Sequence, residues 1–85
     1  MSIVTIDAAT EAKVIEILVD SLDLEGGQLT RTGLFIEDYG ADSLGAIEVL
    51  SCLETTFGVT IEQDELPRMI NMEAVLEVLA RAEAR

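Results

Sequence analysis

Eighty-five residues make one domain, able to bury only about 60% of the surface that its unfolded chain exposes. One cysteine and no histidine exclude an internal disulfide and any histidine-based catalytic or metal site. Seventeen acidic residues against five basic leave a net charge of −12, a field that repels nucleic acid and anionic membrane and favours encounter with basic protein surfaces.

The acidity is unevenly spread. No basic residue lies between Arg31 and Arg68, while eight carboxylates from Glu37 to Glu65 fall there. The start, Met1 to Ile6, has no basic cluster and no long apolar run, so it reads as neither a signal peptide nor an anchor. Nowhere do apolar residues approach the roughly 18 consecutive positions of a spanning helix. The expectation is a soluble, cytoplasmic, monomeric protein that binds neither membrane nor nucleic acid. Cys52, in an apolar stretch, reads as a small core residue, which suits a reducing compartment.

In chain order, residues 1–6 read as a loose leader, since nothing downstream offers a strand partner. Asp7 is the expected N-cap of a first helix filled by Ala8, Ala9, Glu11 and Ala12. Val14, Ile17, Leu18 and Leu22 form its apolar stripe, and it ends near Asp23. From there to Ala41 the chain carries Gly26, Gly27, Gly33 and Gly40 without helical period. So long a loop in so small a domain is generally functional or pinned by its own side chains. Leu24, Leu29, Leu34, Phe35 and Ile36 are the expected pins, which predicts an ordered loop.

A second helix follows, capped by Asp42 or Ser43. Ala46, Val49, Leu50, Leu53 and Phe57 fall on one face as its core stripe. Leu44 and Ile47 lie off that stripe, among Glu48, Ser51, Glu54 and Thr55. They are either two ordinary exposed side chains or an apolar docking face rimmed by acid, and the second reading is preferred because both sit beside the same hydroxyl. Gly58 is the expected left-handed cap. Val59 and Ile61 are too few for a strand of consequence and read as anchors of a connection. Residues 62–69 have room for one short helical turn, which Pro67 threatens. Asn71 caps a last helix with the stripe Met72, Val75, Leu76 and Leu79, and residues 81–85 form a polar tail expected to fray. The predicted fold is all-α: a small antiparallel-type bundle of three main helices and one short one, with a long first connection, in a single domain over residues 1–85.

The residues offer little for catalysis. A serine nucleophile needs a base, and neither histidine nor a placed lysine supplies one, since Lys13 is the only lysine. No carboxylate pair sits in a discernible pocket, no calcium loop has the required spacing, and no phosphate-binding glycine loop is present. No metal is expected. A serine at a helix start is suited to carry a phosphate ester, because the helix end favours a negative group there, although an Asp-Ser pair also serves as a plain cap.

The run Phe35-Ile36-Glu37-Asp38-Tyr39-Gly40-Ala41-Asp42-Ser43-Leu44 resembles the signature of acyl carrier proteins, F-x-x-D-L-G-x-D-S-L, around the serine that accepts 4′-phosphopantetheine. The similarity continues through Glu48, Leu53-Glu54, Phe57-Gly58 and Ile61 and spans most of the chain to about Leu79. The resemblance implies a helical bundle without activity of its own. A phosphopantetheinyl transferase would attach the arm from coenzyme A to Ser43. Acyl intermediates would then ride as thioesters to acyltransferase, ketosynthase and other partners of polyketide or fatty-acid biosynthesis with basic docking surfaces. Asp38, Asp42, Leu44, Ile47, Glu48 and Glu54 would be the recognition residues.

Four positions depart from the pattern. Tyr39 stands where leucine is usual, Gly45 where an acid is frequent, Thr55-Thr56 where carboxylates are often found, and Pro67 lies in the short third helix. These departures favour a discrete polyketide-type carrier. A peptidyl or aminoacyl carrier, of a nonribosomal or D-alanyl system, and an unmodified helical adaptor are the alternatives; Asp42 weighs against the first.

Overall fold

The computed structural model describes residues 6–24 and 29–84, and of Ser43 and Ala84 the backbone alone. Met1 to Thr5 of the expected leader, Gly26 and Gly27 of the loop and Arg85 of the tail lie outside the described residues.

Helix α1, Ala8–Ser21, starts where Asp7 takes the backbone N–H of Thr10 at 2.8 Å. That bond, together with one to the Thr10 side chain, holds the Asp7 carboxyl below the ordinary aspartate range. Val14 and Leu18 are fully buried, and Ile6 and Ile17 pack against the core beside them. The helix stops because Leu22 is its C-cap and Asp23 adopts a left-handed φ of 54°. The helix thus ends near Asp23, as its sequence predicts.

The described part of the first connection is ordered by hydrogen bonds as well as by apolar pins. Glu73 donates its N–H to Arg31 O at 3.0 Å, and Phe35 donates to Ile70 O at 2.9 Å, so the loop is stitched to the chain entering the last helix. The Arg31 guanidinium also pairs with Glu11 of α1. Leu24 and Phe35 are buried as expected, and Leu29 packs on the core. Ile36, expected among the pins of the loop, is a correction: it is 68% exposed. The turn over residues 35–39 is closed by Ala41 N–H on Phe35 O and Gly40 N–H on Ile36 O, so Phe35 faces the core and its neighbour faces out.

Helix α2, Ser43–Phe57, ends at Gly58, whose φ of 63° and N–H bond to Glu54 O make the expected left-handed cap. Val49, Leu50 and Leu53 are buried, while Ala46 and Phe57 are half-buried, so the predicted stripe is the core face. Cys52 corrects the sequence reading, because it is exposed, its Sγ 3.9 Å from Ser21 Oγ.

After Gly58 come two residues, β1 (Val59–Thr60), which pair antiparallel with β2 (Glu83–Ala84), Val59 opposite Ala84 and Thr60 opposite Glu83. Residues 59–60 form only this minimal strand, and Val59 and Ile61 are buried as the anchors the sequence predicts. The pairing corrects one expectation, because residues 81–84 are held rather than frayed, with Arg81 in the last helix and Ala82 buried. Between them, Gln63–Arg68 forms a 3₁₀ helix that contains Pro67. The short helix survives the proline because a ring-fixed φ near −65° suits 3₁₀ geometry and the missing N–H removes a single bond.

Helix α3, Met72–Arg81, is capped by Asn71, which takes Ala74 N–H at 2.8 Å. Met72, Val75, Leu76 and Leu79 are buried as predicted, and Val78 joins them. These side chains meet Val14 and Leu18 of α1 and Val49 and Leu53 of α2 in one core cluster. Among the described residues the protein is thus all-α apart from one pair of two-residue strands, with three principal helices and one short one.

Candidate functional site

The head of α2 is built by the segment before it. Tyr39 donates or accepts through its hydroxyl at 3.1 Å from Thr30 Oγ1 and accepts Thr30 N–H at 2.9 Å, while Thr30 Oγ1 accepts Gly33 N–H at 3.0 Å. Gly33 has no room for a side chain, because a Cβ there would fall 2.0 Å from the Tyr39 hydroxyl. Tyr39 therefore folds back on its own loop. Asp38 works in the same unit, accepting Leu34 N–H through Oδ2 at 2.7 Å while its own N–H meets Leu34 O at 2.8 Å. Gly40 then turns the chain with a φ of 70°. The result is a braced loop that delivers Asp42 and Ser43 to a defined place.

Asp42 is the N-cap: its backbone is extended and Oδ1 accepts Gly45 N–H at 3.0 Å. Of the two cap candidates the aspartate takes this role, and Ser43 becomes the first residue of α2. First-turn N–H groups lack intrahelical acceptors, and the positive end of the helix favours an anion beside them.

The remaining candidates separate. Leu44 is 69% exposed and Ile47 47% exposed, two apolar side chains that the core does not use. Glu48, one residue on from Ile47, is exposed, as are Ser51 and Thr55. Glu54 is occupied elsewhere, since its half-buried carboxylate accepts Ile61 N–H through Oε2 at 3.0 Å and so ties α2 to the connection after Gly58. The structure thus puts Asp42, Leu44, Ile47 and Glu48 at one end of α2, and engages Asp38 and Glu54 in bonds to the backbone.

Beside that end lies a feature that sequence reasoning missed, a cavity of about 310 Å³. Its walls are almost wholly apolar: Leu22 from the end of α1, Leu34 and Phe35 from the loop, Ala46 from α2, Leu66 from the 3₁₀ helix, and Met69. Asp42 and Glu37 are its acidic members, and the exposed Ile36 and Ile70 also border it. Four segments far apart in sequence enclose it, so no local pattern announces it. The nearest hint was a surplus of apolar residues, Ile36 and Ile70, that no helical stripe absorbs.

Charge completes the site. Each described basic residue pairs with a carboxylate: Lys13 with Glu16, Arg31 with Glu11, and both Arg68 and Arg81 with Glu65, at 3.2 and 3.3 Å. None stands at the head of α2, which leaves Asp42 and Glu48 uncompensated there. No cluster of three or more ligating side chains that could hold a metal occurs among the described residues, and no described helix is long and apolar enough to cross a membrane.

The pattern described as the phosphopantetheine attachment site matches residues 12–69. The chain is 47% identical over 77 residues to a protein of Streptomyces avermitilis named polyketide-8 synthase acyl carrier protein 1, covering 91% of this chain and 92% of that one. It is 37% identical over 68 residues to an acyl carrier protein of Petrotoga mobilis, with 80% of each chain covered. A chain in a solved structure titled "The ishigamide ketosynthase/chain length factor" superposes with a TM-score of 0.76 at 36% identity, over 89% of this chain and 96% of that one. The braced loop, the capped helix head and the cavity lie within or beside the matched span, and the chain belongs to the acyl carrier proteins, the family whose covalent prosthetic group is 4′-phosphopantetheine.

Proposed function

We propose that Ser43 is the attachment residue and that this protein is a discrete carrier of acyl thioesters for a polyketide synthase, without catalytic activity of its own. The observation that carries the reading is the position of Ser43, the first residue of a helix whose cap oxygen comes from Asp42, behind a loop braced by its own side chains. A phosphodiester on that residue suits the unsatisfied N–H groups and the positive end of α2. In the modification, the Ser43 oxygen bonds to the phosphorus of coenzyme A that bears the pantetheine arm. The pyrophosphate bond breaks, adenosine 3′,5′-bisphosphate leaves with the electron pair, and the serine proton passes to a base. The chain has no histidine, so a phosphopantetheinyl transferase supplies that base.

The bound arm supplies a terminal thiol for thioester chemistry. This chain's own residues hold the attachment point, give an apolar acyl chain a largely apolar seat in the cavity next to α2, and meet partners. Leu44 and Ile47 offer apolar contact, and Asp42 and Glu48 offer negative charge to ketosynthases, acyltransferases and the transferase itself, wherever those present basic surfaces. The similarity to a polyketide synthase carrier over nearly the whole chain, and to a chain solved with a ketosynthase and chain length factor in its title, favours a polyketide pathway. Work as a monomer in a reducing cytoplasm agrees with an unpaired, exposed Cys52.

Intact mass spectrometry tests the assignment. Incubation with coenzyme A, magnesium and a broad-range transferase should add one phosphopantetheinyl mass to the protein and none to Ser43→Ala. An unchanged wild-type mass, or a gain that survives Ser43→Ala, removes Ser43 from the role. The mass of protein taken from its native host should be that of an acyl adduct, whereas an aminoacyl adduct would assign it to the nonribosomal class.

A further inference from the structure

Gly45 is the third residue of α2, three positions past the cap. Glycine is a poor choice there, second only to proline in disfavouring a helix, and a Glu or Gln at this position would bond back to the cap. Local helix chemistry does not ask for it; space does. A Cβ on Gly45 would stand 2.9 Å from Leu22 Cδ2, closer than carbon atoms approach, while its next neighbours, Asp42 Oδ1 at 3.8 Å and Ser21 O at 3.9 Å, are at ordinary contact distance. The one side chain in conflict is Leu22. That residue is the C-cap of α1, packs against the core, and also forms a wall of the 310 Å³ cavity. Leu22 is half-buried, and the cavity that it lines is a free volume into which its displaced side chain can turn.

We propose that Gly45 is a specificity-determining residue for the acyl chain: by having no side chain it lets Leu22 lie against the head of α2, and so sets how long an apolar chain the cavity holds. The inference rests on the reading that the cavity seats the chain attached at Ser43, and it names the substrate property that the site selects. Adding a methyl at residue 45 brings Leu22 into the cavity and shortens the chain that fits. Because packed interiors register a single methylene, the loss is about one or two methylene units.

The experiment loads apo protein with acyl groups from acetyl to tetradecanoyl, using the corresponding acyl-coenzyme A thioesters and a broad-range transferase, and reads Tm of each acyl form relative to the holo form. In wild-type protein Tm should rise with chain length and then level off. In Gly45→Ala the holo Tm should be unchanged or slightly higher, as helix propensity dictates, while the plateau arrives at a chain roughly one or two methylenes shorter. Gly45→Ala combined with Leu22→Val should return the plateau toward the wild-type length. An identical profile in Gly45→Ala overturns the proposal, and so does a shortened profile that Leu22→Val leaves in place, since the route through Leu22 would then be wrong. A flat wild-type profile on fully loaded protein overturns the cavity as the seat, and with it this proposal. A wild-type mass that never increases refutes instead the attachment itself.

Discussion

Glu48 and Glu54 lie on the same helix and carry the same charge, yet they are expected to fail in opposite ways. The Glu54 carboxylate takes the N–H of Ile61, a residue only 5% exposed, at 3.0 Å. Glu54→Ala leaves that backbone donor in a largely buried place without its partner, which costs about 1–3 kcal/mol. In a domain of this size each kcal/mol lowers Tm by roughly 4–8 °C, so the variant should melt roughly 5–20 °C below wild type. The loss comes in spite of removing a negative charge from a chain at −12, a change that by itself relieves repulsion. Glu54→Gln keeps an acceptor oxygen at the same reach and forfeits only the charge assistance, which is roughly half of such a bond, so it should fall between the two. Glu48 is exposed, and Glu48→Lys should leave stability within about 0.5 kcal/mol of wild type. It should instead slow transferase modification or acyl transfer, with the deficit shrinking as salt screens the encounter. Urea unfolding followed by far-UV circular dichroism, together with a transferase time course, measures both quantities. Wild-type stability in Glu54→Ala, or equal losses in Glu54→Gln and Glu54→Ala, would refute the role given to that hydrogen bond; a destabilised Glu48→Lys would refute the assignment of the faces.

The leucines of α2 should divide in the same manner. Leu53 is fully buried, and Leu53→Ala should cost about 2–5 kcal/mol by urea unfolding, whereas Leu44→Ala, at a residue 69% exposed, should cost about 0.5 kcal/mol or less and show its effect in partner transfer rates. Asp7 makes a pH-dependent contribution. Its carboxyl is held below the ordinary range by the Thr10 backbone and side-chain bonds, so its stabilisation is present above the unfolded value of about 3.9 and is lost as pH falls through the lower folded value. Asp7→Asn, which still offers a cap oxygen, should therefore be less stable than wild type at neutral pH. That gap should close as pH falls through the lowered folded value, and a gap of constant size from neutral to acid pH would argue against the charge.

What the sequence determined by itself is what residues a few positions apart settle between themselves. Asp7, Asp42 and Asn71 each cap a helix by taking the N–H three residues ahead. Gly58 ends α2 because its backbone can turn left-handed, and the stripes of Val49, Leu50 and Leu53 and of Val75, Leu76 and Leu79 follow from helical period alone. The attachment motif is legible for the same reason, being one contiguous run at one helix start. Tertiary structure decided the rest. Ile36 and Phe35 are adjacent apolar residues, and the turn over residues 35–39 together with the bond from Phe35 N–H to Ile70 O settles which of them enters the core. Cys52 lies in an apolar stretch but emerges exposed, its Sγ 3.9 Å from Ser21 Oγ of α1. Glu54 reads as a docking acid until the chain after Gly58 returns to bring Ile61 within its reach. The tail that looks frayed is held because residues 59–60, more than twenty positions earlier, present an edge to it. The cavity beside Ser43 has walls from α1, the loop, α2 and the 3₁₀ helix. Its existence depends on where distant segments stop relative to one another, which periodicity and capping, acting over three or four residues, do not encode.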